Sequence, residues 1–249
     1  MEKKTSFKCN NCGYCCTDQS TQINMTLLDI KWLSDCTKMS VKELFLKEIV
    51  AFVPFIRTEN FSIFDVEFGM KRPCPLYKNN KCEAYDGRPM NCRIFPYWFI
   101  TNKIADELEC IQNIELLPSI FFKYKMYERI VGEMIMAQSM ETEEFIKRID
   151  AGQTIDFSSE PELKRLMRIY KRKTTENDRS SVRIAKKLME LADKKVDREK
   201  LNKKIDLIEK EINSRSYDKD IDMLLNAEAI LDGTITDVNV SYDKDFQNP

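Results

Sequence analysis

Apolar residues follow two different patterns along this chain, and the pattern changes shortly after residue 110. From Pro118 onward they recur every three or four positions, which is the spacing of one helix face. These stripes occupy residues 121–135, 142–149, 163–170, 182–192 and 201–212. We therefore predict a helical second half, in which Pro118 begins the first helix and Gly152 caps the second.

The first half has a less regular pattern and predicts shorter elements. Thr26 stands three residues before Asp29, as an N-cap residue would, and a second short helix is expected from Ser40. Residues 61–68 are rich in β-branched and aromatic side chains that partly alternate with polar ones, which is typical of a strand. Apolar residues on both sides of a polar turn predict a β-hairpin over 76–85.

The cysteines divide the chain, because all nine lie at or before Cys110. We predict an α+β protein. A small cysteine-rich, metal-bound domain with short helices and a β-hairpin is expected over residues 1–115, followed by a mainly α-helical region over 116–233. The polar and acidic residues 234–249 are predicted to form a disordered tail.

Composition excludes several kinds of site. The chain has only 6 glycines, none grouped into a phosphate-binding loop, and it has no histidine. Any metal site must therefore use thiolates, with carboxylates as the other candidates. The 40 basic and 41 acidic side chains leave a net charge of -1, so the charge of the whole chain indicates no partner.

The N-terminal residues lack the apolar core of a signal peptide, and no apolar run approaches the ~20 residues that cross a bilayer. We therefore expect a cytoplasmic protein without a membrane-spanning segment. Thiols in the cytoplasm stay reduced, so clustered cysteines favour metal binding or redox chemistry over disulfides.

Four cysteines lie within eight residues of a loop that is rich in turn-forming residues: Cys9, Cys12, Cys15 and Cys16. We expect this loop to lack regular structure. Its Cys-x2-Cys-x2-Cys spacing is that of bacterial ferredoxins, in which a distant cysteine completes a [4Fe-4S] site. Cys74, which precedes a proline, has the form of that distant cysteine, although Cys16 and the later cysteines could serve equally.

The second group of cysteines is Cys74, Cys82, Cys92 and Cys110. Eight thiolates suffice for two four-coordinate sites, or for one cluster with redox-active thiols left over. Zinc is the main competitor, but the second group lacks the CxxC half-site that zinc commonly uses. Ligand softness and spacing favour an iron-sulfur cluster over zinc or mononuclear iron, and either over thiols without metal. Cys36 follows Trp32 by one helical turn, so we predict that it is a buried apolar residue rather than a ligand.

Several separated segments of this chain resemble the YkgJ-type CxxCxxCC family of zinc- or iron-chelating domains. The resemblance rests on the motif from Cys9 to Cys16, on Cys74-Pro75-Leu76-Tyr77, on Cys82-Glu83-Ala84-Tyr85 and on residues 88–96, and it covers roughly residues 7–112. It implies chelation by Cys9, Cys12, Cys15, Cys16, Cys74, Cys82 and Cys92, with Cys110 as an eighth ligand. One relative, the flagellin lysine N-methylase, carries a similar cysteine set, but this chain lacks a glycine-rich loop for S-adenosylmethionine.

Two groups of basic residues have alternative interpretations. Arg88 and Arg93 flank Cys92 and could lower the pKa of neighbouring thiols, or they could bind backbone carbonyls or Asp86. The basic residues between 164 and 187 are better explained as a solvated helix face than as a nucleic-acid surface, because no nucleic-acid motif accompanies them.

Three functions are compatible with the sequence. The first is an iron-sulfur protein that transfers electrons or senses redox state and meets a protein or redox partner. The second is a structural zinc module for protein interaction. The third is a metal-dependent enzyme that modifies a protein. The sequence identifies neither a substrate nor an oligomeric state.

Overall fold

The computed structural model describes residues 7–17, 23–55, 65–70, 72–103, 108, 110–112, 114–149, 160–194 and 197–233. Short helices and small antiparallel sheets make up the first half of this part of the chain, and long helices follow. The predicted α+β class with a helical C-terminal region is therefore confirmed.

The first half contains ten short elements in its described residues. They are α1 (Tyr14–Thr17), β1 (Ile23–Met25), α2 (Leu27–Thr37), α3 (Val41–Leu46), β2 (Ala51–Phe55), β3 (Asp65–Met70), β4 (Tyr77–Lys78), β5 (Lys81–Cys82), α4 (Met90–Ile94) and α5 (Tyr97–Thr101). Strand β3 lies between β1 and β2 in one antiparallel sheet, with Phe68 opposite Met25 on one side and Phe52 on the other. The sequence predicted β3 over 61–68, of which 61–64 lie outside the described residues.

The predicted hairpin is confirmed as β4 and β5. Tyr77 pairs with Cys82, and Lys78 pairs with Lys81. The two residues between the strands, Asn79 and Asn80, have φ angles of 50° and 58°. Asparagine tolerates this left-handed conformation, which two-residue hairpin turns of the primed type require.

Helices α2 and α3 begin where the sequence predicts them, and both begin with a capping box. The Thr26 hydroxyl accepts a hydrogen bond from the Asp29 amide, and the Asp29 carboxylate accepts one from the Thr26 amide. Ser40 and Glu43 repeat this exchange at α3. Each box satisfies amide groups that the first helical turn would otherwise leave without an acceptor.

The second half consists of α6 (Pro118–Ile149), α7 (Pro161–Thr175), α8 (Ser180–Asp193), α9 (Arg198–Ser214) and α10 (Asp218–Asp232). The separate helix predicted over 142–149 is wrong, because α6 runs through it without a break. Residues 136–141 contain neither proline nor glycine and are mostly good helix formers. Gly152 and the tail 234–249 lie outside the described residues. Helix α10 was not predicted.

The chain folds into two compact units, each built from separate segments. The first takes its residues from Met1–Asn10, Arg93–Ile135 and Ser216–Pro249, and the second from Asn11–Cys92 and Met136–Arg215. The division of the sequence after residue 115 rests on composition, and it stays a prediction.

Each unit has its own apolar core. In the first unit, Ile100, Leu108, Ile111 and Tyr124 are buried together. In the second unit, α7 and α8 pack through Leu163, Leu166, Leu188 and Ala192. Helix α9 packs on α2 and α3, and α8 contacts β2, so helices from the second half support the sheet of the cysteine-rich segment. Within the described ranges, no helix is long and apolar enough to cross a membrane.

Candidate metal centre

Cys15 and Cys16 lie on a helical turn, which corrects the prediction that their loop lacks regular structure. Gly13 precedes this turn with a φ of 77°, a conformation that glycine adopts without strain. Its carbonyl oxygen accepts hydrogen bonds of 2.9 Å from the amides of Cys16 and Thr17 and from the Thr17 hydroxyl. These bonds stabilise α1 and fix where its two cysteines lie.

The sulfur atoms of Cys15 and Cys16 lie 3.9 Å apart. Four sulfurs around one tetrahedral ion, at a metal–sulfur distance of about 2.3 Å, would be about 3.8 Å from one another. The spacing of this pair therefore fits two ligands of a single ion. The hydrogen bond between the two thiols lowers the pKa of Cys15 to about 7, and the same contact raises the pKa of Cys16 above the ordinary range of a thiol.

Cys74 is tied directly to this turn, because its amide donates a 2.7 Å hydrogen bond to the carbonyl oxygen of Cys16. The Tyr77 hydroxyl adds a second link by donating to the carbonyl oxygen of Asn11 at 2.8 Å. Tyr77 also packs so closely on Gly13 that a side chain there would collide with its ring. These contacts hold the segment before the hairpin against the cysteine loop, although 58 residues separate Cys16 from Cys74 in sequence.

The Cys74 thiol donates to the sulfur of buried Met70 at 3.3 Å, and burial raises the pKa of Cys74. Cys82 is half-buried on β5, and burial raises the pKa of its thiol as well. Negative charge on Cys74 or Cys82 would raise the pKa of Cys16. The three thiols therefore lie within electrostatic range of one another.

Cys92 lies on α4, and its amide donates to the carbonyl oxygen of Pro89, just before this helix, at 2.8 Å. Burial raises the pKa of Cys92 to about 12, and negative charge on Cys74 and Cys15 contributes to this rise. The second unit thus gathers five thiols from distant parts of the sequence: Cys15, Cys16, Cys74, Cys82 and Cys92. We call them the thiol cluster.

The other three predicted ligands are placed differently. Cys12 is exposed in the second unit, whereas exposed Cys9 and partly buried Cys110 belong to the first unit. Cys110 packs against the core that contains Ile100. Within the described residues, no three cysteine, aspartate or glutamate side chains converge closely enough to hold one ion. The set of eight ligands stays a prediction.

Arg72 is a part of the site that the sequence interpretation missed. Its positive charge contributes to the lowered pKa of Cys15 and opposes the rise that burial causes in the pKa values of Cys74 and Cys92. A cation in this position stabilises thiolates, which are the form of cysteine that binds metal. The sequence could have indicated this role, because Arg72 lies two residues before Cys74 in Arg72-Pro73-Cys74.

The two predicted arginines differ from each other. Arg88 fits both interpretations, because its charge lowers the pKa of Cys82 while its guanidinium donates to the Tyr85 carbonyl oxygen at 2.7 Å. Arg93 has a partner that the sequence did not indicate. Its side chain is buried in an ion pair with Glu228 at 2.7 Å.

Cys36 was predicted to be a buried apolar residue. It is half-buried on α2 and packs against Gly87. Negative charge on Cys36 would raise the pKa of Cys82, so Cys36 lies within electrostatic range of the thiol cluster. All nine cysteines are thiols rather than halves of disulfides.

Comparison with known proteins supports a metal-binding interpretation of this site. Residues 8–112 match the family model CxxCxxCC, described as a putative zinc- or iron-chelating domain. The match confirms the resemblance drawn from the separated motifs, and it contains the whole thiol cluster. No solved structure matches the chain. Residues 8–112 are thus similar to domains of the type described as chelating zinc or iron.

Proposed function

We propose that this segment binds iron through cysteine thiolates as an iron-sulfur cluster, and that the cluster transfers electrons or senses redox state with a protein partner. The observation that carries the proposal is the thiol cluster itself. Its members come from α1, from the segment around the β4–β5 hairpin and from α4. Backbone hydrogen bonds hold these segments together, as between Cys74 and Cys16.

The spacing of the cysteines favours iron-sulfur chemistry. Cys9, Cys12 and Cys15 follow one another as Cys-x2-Cys-x2-Cys. This is the spacing of [4Fe-4S] ligands in bacterial ferredoxins. Soft thiolate donors without any histidine suit iron-sulfur clusters and zinc better than hard cations.

The charges around the thiol cluster suit a thiolate-bound metal. Bound cysteines are deprotonated, so a site with several of them carries negative charge. Arg72 and Arg88 provide positive charge next to the thiols, as their effects on the pKa values of Cys74 and Cys82 indicate. Partners of this kind around the ligands tune metal affinity and, for a cluster, its reduction potential.

A structural zinc site is the second candidate, and one observation favours it. The 3.9 Å separation of the Cys15 and Cys16 sulfurs fits two ligands of the same ion. In a cubane cluster each cysteine binds a different iron atom, so two adjacent cysteines with this separation would not both be expected to serve as ligands.

Sulfide analysis and reduction by dithionite separate the two candidates. The full chain is purified without oxygen, and acid-labile sulfide and visible absorption are measured before and after dithionite. An iron-sulfur cluster gives coloured protein with about four sulfides per chain, whose absorption bleaches reversibly. Colourless protein that contains zinc and no sulfide would contradict the cluster and establish the second candidate.

A further inference from the structure

The Asp29 carboxylate is fully buried and links two segments of the second unit. One of its oxygens accepts hydrogen bonds from the Thr26 amide at 2.8 Å and from the Thr26 hydroxyl at 2.9 Å. The other oxygen accepts a bond of 2.8 Å from the amide of Met90, 61 residues away. Met90 is the first residue of α4, and Cys92 follows two positions later.

Capping α2 does not require this burial, as the same motif at α3 demonstrates. Glu43 accepts bonds from the Ser40 amide at 2.8 Å and the Ser40 hydroxyl at 3.0 Å, and it does so while exposed to solvent. Removing a carboxylate from water is costly unless hydrogen bonds replace the lost hydration. Asp29 differs from Glu43 in its bond to Met90.

The segment that leads into α4 also contacts the other end of α2, through Gly87. A Cβ atom at Gly87 would lie 2.9 Å from the Trp32 carbonyl oxygen and would collide with the side chain of Cys36. Asp29 and Cys36 are seven residues apart, and this places them on one helix face. That face therefore contacts the segment before Cys92 at two points, Gly87 and Met90.

We infer that Asp29 is a positioning residue that holds the first turn of α4 against α2 and so fixes the Cys92 thiol within the thiol cluster. The inference rests on the proposed metal-binding function, since it assigns Asp29 to the placement of one ligand.

The test compares Asp29→Asn with Glu43→Gln, which alters the matching cap of α3. Each metal-free variant is treated with iodoacetamide under reducing, oxygen-free conditions, and the modification of Cys92 is followed by peptide mass spectrometry, with Cys110 as the internal reference. Asparagine has one acceptor oxygen instead of two and cannot accept from both Thr26 and Met90, so we predict that Cys92 in Asp29→Asn reacts about tenfold faster than in the wild type. Glu43→Gln is expected to leave this rate unchanged.

The second measurement is iron binding after reconstitution with iron and sulfide. Asp29→Asn is expected to bind iron about tenfold more weakly than Glu43→Gln, which is a typical loss when a residue that orients a ligand is removed. Equal Cys92 modification rates in the two variants would overturn the role of Asp29. Wild-type protein without metal would instead contradict the proposed function, so the two failures are distinguishable.

Hydrogen exchange of the Met90 amide tests the same contact without any substitution. In the wild-type protein this amide should exchange at least tenfold more slowly than an exposed amide, because its hydrogen bond must open first. Exchange at the rate of an exposed amide would overturn the inference even if Asp29→Asn did not fold.

Discussion

At Gly87 the chain has no room for a side chain, because α2 lies directly against the backbone. We predict that Gly87→Ala lowers the free energy of unfolding by about 1–3 kcal/mol, since an added methyl group would overpack the contact with Cys36 and Trp32. Urea denaturation of the purified variant measures this change.

Gly132 is the matched control for this substitution. It lies in α6, and nothing lies within 4 Å of the place where its Cβ would be. Gly132→Ala is therefore expected to raise the free energy of unfolding by about 0.5–1 kcal/mol, because alanine favours the helix. If Gly87→Ala were as stable as Gly132→Ala, the described packing of α2 against Gly87 would be wrong.

Cys74 lies outside α1 but is bonded directly to it, because its amide donates to the carbonyl oxygen of Cys16. We predict that Cys74→Ser weakens iron binding at least tenfold, because a serine hydroxyl is a poor replacement for a soft thiolate. Iron per chain after oxygen-free reconstitution is the measurement.

Cys36→Ser is the comparison for that variant. Cys36 is predicted not to be a ligand, so the Cys36→Ser protein should bind as much iron as the wild type. Loss of iron from Cys36→Ser, or full retention by Cys74→Ser, would require a different assignment of ligands.

Among the elements, α4 and α10 share a buried ion pair in the first unit. The Arg93 side chain on α4 is 2% exposed, and its partner Glu228 on α10 also lies 3.5 Å from the Tyr127 hydroxyl. We predict that Glu228→Ala lowers the free energy of unfolding by about 3–5 kcal/mol, because it leaves the buried charge of Arg93 without this carboxylate. Chemical denaturation measures the loss.

The exposed pair of Arg129 and Glu133 on α6 provides the control. Both side chains are more than half exposed, so water and salt screen their attraction. Glu133→Ala should change the free energy of unfolding by no more than about 0.5 kcal/mol. Similar effects of Glu133→Ala and Glu228→Ala would show that Arg93 is not buried as described.

The basic surface of α7 and α8 contains local ion pairs. Lys173 lies 2.7 Å from Asp178, and its hydrogen bond lowers the pKa of that carboxyl to about 2. Arg172 lies 3.7 Å from Glu176. The interpretation of this region as a solvated helix face, without nucleic-acid binding, stays a prediction.

Elements set by local chemistry could be predicted from the sequence. The starts of α2 and α3 are predicted by two capping pairs, Thr26 with Asp29 and Ser40 with Glu43. The hairpin is predicted by the two asparagines between Lys78 and Lys81. Strand β1 could not be predicted, because three residues carry little pattern and the strand exists through its pairing with β3. Helix α10 was missed because its acidic composition concealed the buried Leu224 and Ala227.

The candidate site was predictable to a similar extent. The cysteine motifs proposed eight ligands, a set that stays a prediction, whereas the bond between Asp29 and Met90 joins residues far apart in sequence and has no local signal. Contacts between residues that are far apart in sequence depend on tertiary packing, which a local sequence pattern does not show. The ion pair of Arg93 with Glu228, 135 residues away, is a second contact of this kind.

In the whole molecule, the cysteines are divided between the two compact units. Cys9 and Cys110 belong to the first unit, and the remaining seven belong to the second. Metal binding and folding are coupled, so a metal bound by the thiol cluster would contribute directly to the stability of the second unit. The cytoplasmic location and the redox partner stay predictions.

The most direct test of the account is the metal content of the folded full chain after purification without oxygen. We predict iron in stoichiometric amount, about four atoms per chain for the proposed cluster. Its removal by a chelator should lower the melting temperature, because metal binding and folding are coupled. A chain that contains neither iron nor zinc in stoichiometric amount, yet unfolds cooperatively at the same temperature with and without chelator, would contradict the account.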